Sequence, residues 1–293
     1  MNAYRGLRLS RWLIAFHLGI ALGYLVLIIK AALEDLLWRA DFTAFYTGGA
    51  IVRMGLGPRL YDLELQTRVQ QAILGPGRMF YDGVLPFNYP PYFALVMVPF
   101  SCLPLNTAFW CWAVLQGVVL VFVLRRFLAL TSGWRPMEQW LLFTALFAFF
   151  PLLLQFLLGA LSLFVLWCLM EFYLALRQGK EVRAGVWLAL GAVKPQAMLF
   201  PALVILGGRR WRALAGAGAA GVLLLGVTSS LLGPSIWPDY LHRLAATGSY
   251  FDHFGVYPDE MVNLKGTLTL WLGVERVSMI QAITGVALIA GAL

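Results

Sequence analysis

From Trp12 to Ile29 the chain runs without a single Asp, Glu, Lys or Arg, and the same pattern returns at Phe109–Leu124 and Ala213–Leu232. About 20 apolar residues cross the hydrocarbon of a bilayer as a helix. Backbone groups in lipid must bond within their own segment, so such runs dictate spanning helices. The composition agrees, with 61% apolar and 12% charged residues and a mean hydropathy of +0.78. Soluble domains hold about 45–50% apolar and about 25% charged residues. A water-soluble α/β enzyme, a disordered tail and a nucleic-acid-binding module are excluded. The net charge of +8 comes from 22 Lys and Arg against 14 Asp and Glu. In a membrane protein this excess marks cytoplasmic loops rather than a polyanionic partner. Cys102, Cys111 and Cys168 sit in apolar stretches, with neither the pairing of a disulfide framework nor the spacing of a zinc site.

Basic clusters set the expected threading. Arg5, Arg8 and Arg11 precede the first run, which reads as an uncleaved signal-anchor with its N-terminus inside. Arg125, Arg126 and Arg135 form one cytoplasmic group, Arg177, Lys180 and Arg183 a second, and Arg209, Arg210 and Arg212 a third. Each stretch between groups must then cross an even number of times. Tyr92–Leu105, broken by Pro99 and Pro104, stays on the outer side as a re-entrant or interfacial piece. Trp140–Leu176 holds two short spans hinged near Pro151 and Gly159. Parity makes residues 184–206 a hairpin of half-helices broken at Lys194-Pro195, with the ammonium near the outer face. Ala213–Leu232 crosses outward, and residues 233–262 form a second outer loop carrying Asp239, Asp252, Asp259 and Glu260. Leu264–Leu293 holds one or two further helices, and the apolar run from Val277 reads as a truncated C-terminus. The whole chain, 1–293, reads as a single all-α, polytopic membrane domain.

The first outer loop, residues 30–90, is organised. Asp41 precedes Phe42, Phe45, Tyr46, Gly49 and Ala50 on one helical face, and Gly55-Leu-Gly-Pro58 ends that helix. Asp62 precedes Leu65, Val69, Ala72 and Ile73, and Gly75-Pro-Gly77 ends the second. The spacing predicts two amphipathic helices lying on the outer membrane surface.

Two readings fit Asp41. A carboxylate at the lipid boundary can act as a general base toward a hydroxyl, and an Asp before a periodic run caps a helix. Asp62 has the same choice, with the stronger case as a cap. Lys194 within an apolar hairpin is a functional residue by default, since a central intramembrane Lys costs about 2.5–3.5 kcal/mol; the bland alternative is a snorkelling Lys beside a proline kink. Glu171 reads as a structural residue reaching the headgroups. His242 and His253 belong to the second outer loop, where either can orient a substrate or simply face solvent, and His17 has no evident partner. A glycine-rich phosphate loop, zinc-protease and nucleophile-elbow motifs, and a DxD pair for a nucleotide-sugar metal are all missing. An outward-facing enzyme without nucleotide machinery must draw an activated substrate from the membrane itself.

Taken in order, Asp41-Phe-Thr-Ala-Phe-Tyr46, Gly55, Tyr61-Asp62, Tyr89-Pro90-Pro91, Pro99, Leu103-Pro104 and Lys194-Pro195-Gln196 resemble glycosyltransferase family 87. The resemblance covers residues 38–212, with a weaker echo at Asn263-Leu-Lys-Gly266. It departs from the family at Gly159, where Ala160 stands in place of a frequent Gln.

The resemblance implies a GT-C-like helical bundle with juxtamembrane helices in the first outer loop. It implies transfer of a hexose, mannose first, from a polyprenyl-phosphate donor to a lipid or glycan acceptor at the outer face of a bacterial inner membrane. Asp41 would be the catalytic base. Lys194 would stabilise the departing phosphate, and Tyr46 and Tyr89 would hold the sugar. Gln196, Pro90, Asp62, Asn263 and His242 complete the expected donor and substrate contacts. One base and one displacement imply inversion, since retention would want a second close carboxylate. No cofactor and no metal site are expected. The rivals are an oligosaccharide ligase or polymerase, served by cations such as Arg39, Arg243 and Lys265, and a lipid carrier or flippase.

Overall fold

Prolines and glycines punctuate the chain where its helices start and stop. The computed structural model describes residues 2–39, 41–80, 82–247 and 264–292, and among them there are helices and no strand. Helix α1 covers Asn2–Leu33, α2 Asp41–Arg53 and α3 Leu63–Leu74. Helices α4 (Pro91–Ser101), α5 (Leu105–Leu130) and α6 (Pro136–Phe147) follow. Then come α7 (Phe150–Leu158), α8 (Ser162–Arg177), α9 (Glu181–Gly191) and α10 (Pro195–Gly207). The last four are α11 (Trp211–Leu232), α12 (Ile236–Thr247), α13 (Leu264–Leu272) and α14 (Val277–Ala292). Proline opens α4, α6 and α10, where its fixed φ suits the first turn and its missing N–H costs nothing. The chain divides into two compact units, Met1–Phe42 with Pro104–Met170, and Thr43–Leu103 with Glu171–Leu293.

Among the described residues three helices are long and apolar enough to cross a membrane: Ser10–Leu33 of α1, α5 and α11. Helices α6 and α7, bent by 45° at their junction, would make a fourth if read as one span. The chain is therefore a polytopic helical membrane protein.

In the first unit, α1 leaves most of its large apolar side chains exposed, Trp12, Phe16 and Leu22 among them. Its polar exception is tied inward: His17 Nδ1 lies 3.2 Å from Thr144 Oγ1 on α6, which supplies the partner the sequence reading did not find. The core of this unit packs Val119, Leu120 and Val123 of α5 against Leu152, Leu163 and Met170. The break between α7 and α8 falls at Gly159, as expected, and its φ of +65° requires glycine. A Cβ there would also lie 2.9 Å from that of Phe42. The unwound turn is held by α5, since Trp112 Nε1 donates to the Gly159 carbonyl at 2.7 Å and Gln116 Nε2 to that of Ala160 at 2.8 Å.

In the second unit, the two expected loop helices are present, with one correction. From Thr43 to Ile51 helix α2 is buried on every side, so it is a core helix and not an amphipathic helix resting on the surface. Its small residues make this possible: a Cβ on Gly49 would come within 2.5 Å of the Met97 carbonyl oxygen of α4. Helix α3 is amphipathic, but its inward face is Leu65, Gln66, Val69, Gln70 and Leu74, while Ala72 is exposed.

Helices α9 and α10 form the hairpin expected from parity. Arg210, just beyond α10, meets Glu181 at the start of α9 at 3.3 Å, which closes the open end and leaves Lys194 at the tip. With 11 and 13 residues, the arms reach about 16 and about 20 Å at 1.5 Å per residue, too short to cross about 30 Å of hydrocarbon. Helix α9 also packs closely on α11. Cβ atoms on Gly185 and Gly216 would strike the carbonyl oxygens of Ala213 and Val182, the close backbone approach that small residues permit in membrane helices. Glu171 does not reach outward to headgroups. It is 2% exposed and pairs with Arg183 at 2.8 Å, because an unpaired carboxylate at that depth would be costly.

Candidate functional site

Two buried glutamines one turn apart on α3 organise the segment that leads into α4. Gln66 donates to the Leu60 carbonyl at 2.7 Å and accepts from Phe87 N–H at 2.8 Å. Gln70 donates to the Leu85 carbonyl at 3.0 Å and accepts from Leu85 N–H at 2.8 Å. Their amides replace the strand partner that this extended segment lacks. Tyr61 then donates to the Tyr89 carbonyl at 2.6 Å, and Phe45, Phe87 and Phe93 surround the Tyr89 ring. Burial, with Tyr240 nearby, pushes the Tyr61 phenol upward, so it stays a protonated donor. The Asn88–Tyr92 turn is thereby fixed in direction.

That turn and the hairpin tip line one apolar groove of about 500 Å³. Pro90 and Tyr92 contribute on one side and Pro195, Met198 and Leu199 of α10 on another, with Ala217, Gly221 and Leu224 of α11 forming a wall. Lys194 immediately precedes the groove-lining Pro195, and Gln196, exposed, follows it.

Helix α12 closes the groove with Trp237, Tyr240, Leu241 and Leu244. Its other face, Asp239, His242, Arg243 and Ala246, lines a separate polar cleft of about 420 Å³, shared with Pro58, Arg59, Tyr61, Asp62 and Leu63. Each set follows the i, i+3, i+4, i+7 spacing of one helical stripe. The same helix thus presents an apolar stripe to the groove and a stripe with charged side chains to the cleft. Asp62 caps α3 by accepting from Leu65 N–H at 3.1 Å, and its second oxygen pairs with Arg59 at 2.5 Å. The Arg59 contact first, and the cap bond after it, hold the Asp62 carboxyl below the usual carboxylate range. Burial pushes the Tyr240 phenol up to about 12.

The expected residues are distributed over several places. Pro90 lines the groove, Tyr89 precedes it, and Lys194 and Gln196 flank the groove-lining Pro195, whereas Asp62 and His242 line the cleft. Tyr46 is committed elsewhere: its hydroxyl donates to the Leu103 carbonyl at 2.7 Å, fixing the end of α4. Asp41 opens α2 as its first residue and belongs to the first unit. Asn263, His253, Asp252, Asp259 and Glu260 lie outside the described residues. Arg59, Asp239, Gln66 and Gln70 were not singled out as site residues from sequence, although the two stripes of α12 were visible in its spacing. Among the described residues no group of three or more His, Cys, Asp or Glu side chains is arranged to hold a metal ion.

A multi-pass helical protein with an apolar groove next to a lysine at a helix break is the class these features define. A family model described as glycosyltransferase family 87 matches residues 87–293, and the chain belongs to that family. The matched segment includes the Tyr89-Pro90 turn, the Lys194 hairpin and α12, whereas Asp41, Tyr46 and Asp62 precede it. No curated protein and no solved structure matches the chain.

Proposed function

We propose that this glycosyltransferase moves a hexose, mannose first, from a polyprenyl-phosphate donor to a lipid or glycan acceptor at the outer face of a bacterial inner membrane, its N-terminus cytoplasmic and its helices arranged as in GT-C enzymes. The observation that carries this reading is the apolar groove, lined by both the Pro90 turn and the Pro195 end of α10. Such a groove suits an isoprenoid chain. The start of α10 and the Lys194 ammonium suit the phosphate attached to that chain, since helix N-termini and cations favour anions.

In the proposed reaction an acceptor hydroxyl oxygen attacks the anomeric carbon while the bond from that carbon to the phosphate oxygen breaks. Asp41 takes the hydroxyl proton, and polyprenyl phosphate leaves with its charge offset by Lys194. A single displacement inverts the anomeric centre. Tyr89 and Gln196 remain candidates for sugar contact, and Tyr46 supports the site by holding α4.

The test is transfer of labelled mannose from polyprenyl-phosphate mannose in membranes containing the protein. Asp41→Asn is expected to lower the turnover about 10²–10⁴-fold, the usual range for a general base, and Lys194→Met to raise the donor KM. Undiminished transfer by Asp41→Asn removes the proposed base. Movement of labelled lipid across liposomes without any transfer replaces the enzyme reading with a carrier.

A further inference from the structure

The polar cleft on the far side of α12 is not needed to hold a lipid chain, and its chemistry is specific. Its charged side chains balance, with Arg59 and Arg243 against Asp62 and Asp239. Both guanidiniums are already engaged, Arg59 with Asp62 and Arg243 with the Tyr61 carbonyl at 2.8 Å. With two guanidiniums facing two carboxylates, a free anion meets no net positive charge there. A metal cation would face two arginines. What remains is a neutral ligand rich in both donors and acceptors. Asp239 and His242, both exposed into the cleft, offer acceptors at i and i+3 on a helix whose position is fixed by the buried Arg243. The volume of about 420 Å³ falls within the about 300–1,000 Å³ of small-molecule sites.

We propose that this cleft, between the Arg59–Asp62 turn and α12, binds the polyhydroxyl ring of the acceptor. The assignment rests on the glycosyl-transfer reading and deepens it. It puts the hydrophilic end of one substrate on the opposite face of the helix that covers the apolar groove. Carboxylates of Asp62 and Asp239 accept from vicinal hydroxyls, and the N–H groups of Arg59 and His242 donate to ring and hydroxyl oxygens.

Saturation-transfer NMR on the full chain in nanodiscs tests this, with methyl α-D-mannopyranoside, myo-inositol and inorganic phosphate as probes. A glycolipid bearing the same mannosyl headgroup in the disc separates a lipid-borne acceptor from a free one by which probe saturates. The polyols are expected to give saturable signal that phosphate does not displace. Asp239→Asn and His242→Ala should each weaken it about tenfold, the order of one lost hydrogen bond to a charged group. Both variants should keep wild-type helical circular dichroism and gel-filtration profile, and in the transfer assay raise the acceptor KM with the donor KM unchanged. Displacement by phosphate, or polyol signal equal in both folded variants and wild type, overturns the assignment. If wild type binds polyols through these residues yet transfers nothing, the cleft stands and the reaction falls. If transfer proceeds with the acceptor KM unmoved by either variant, the reaction stands and the cleft falls.

Discussion

Arg243 on α12 donates through Nη2 to the backbone carbonyl of Tyr61, 182 residues earlier in the chain, at 2.8 Å. Arg243 is 7% exposed, and the Tyr61 and Tyr240 rings lie with centroids 5.7 Å apart. This bond ties the helix that separates groove from cleft to the turn that begins α3. Arg243→Met keeps the volume and removes the donor. A buried carbonyl deprived of its partner costs about 1–3 kcal/mol, so the variant should melt at lower temperature in detergent. Proteolysis within 236–247 should accelerate, whereas an unchanged melting curve would show that α12 is held by its apolar stripe alone.

Gln66 and Gln70 are both fully buried and each is bonded to the backbone of the 84–87 segment or its surroundings. Substitution of either by Leu preserves bulk but strands an N–H and a carbonyl, at about 1–3 kcal/mol for each group left unsatisfied. A drop in thermal stability accompanied by loss of transfer is expected, because the Tyr89-Pro90 turn follows directly. Gln71→Leu, at the exposed neighbouring position, serves as the control and should leave the melting temperature in place.

Close contact between α9 and α11 depends on Gly185 and Gly216, whose absent side chains admit the opposing backbone. Backbone cannot move aside as a flexible side chain can. Gly185→Leu and Gly216→Leu should therefore prevent a monodisperse protein from being recovered. Gly218→Leu, on the same helix with open space around it, should be tolerated, and equal behaviour of all three would remove the close-packing argument.

The Asp62 carboxyl is held below its ordinary range by Arg59 and by the Leu65 N–H. A depressed folded pKa contributes stability that is present above the unfolded value, about 3.9, and is lost as pH falls through the folded one. Asp62→Ala should cost about 1 kcal/mol near neutrality, mostly the cap, since an exposed ion pair adds little. The difference between wild type and variant should shrink as melting is repeated at progressively lower pH. A gap that widens in acid would contradict the assignment.

Tyr240 carries the opposite sign. Burial raises its phenol to about 12, so its contribution is complete below the unfolded value of about 10 and fades as pH rises toward 12. Spectrophotometric titration should find at least two phenols, those of Tyr61 and Tyr240, still protonated near pH 11 in wild type, and Tyr240→Phe should leave that shortfall smaller by one.

Local pattern alone sufficed for the membrane class, the break at Lys194, the Asp62 cap of α3, the stops of the loop helices and the break at Gly159. Each is written in a short window: an uncharged run, a proline after a lysine, an Asp before a periodic stretch, a glycine where φ must be positive. The family was legible too, through motifs ordered along the chain, and residues 87–293 match it. The burial of α2, the pairing of Glu171 with Arg183 and the commitment of the Tyr46 hydroxyl to Leu103 depend instead on groups distant in sequence. Helical spacing says which side chains share a face but not what that face meets. Glutamines one turn apart on α3 look like solvated polar residues until an extended segment with unpaired amides is laid across them. The sequence by itself determined that this is a helical membrane protein with a lysine at a helix break. Only the tertiary structure decided that α12 would stand between an apolar groove and a polar cleft, because that depends on which elements the two stripes of one helix are packed against.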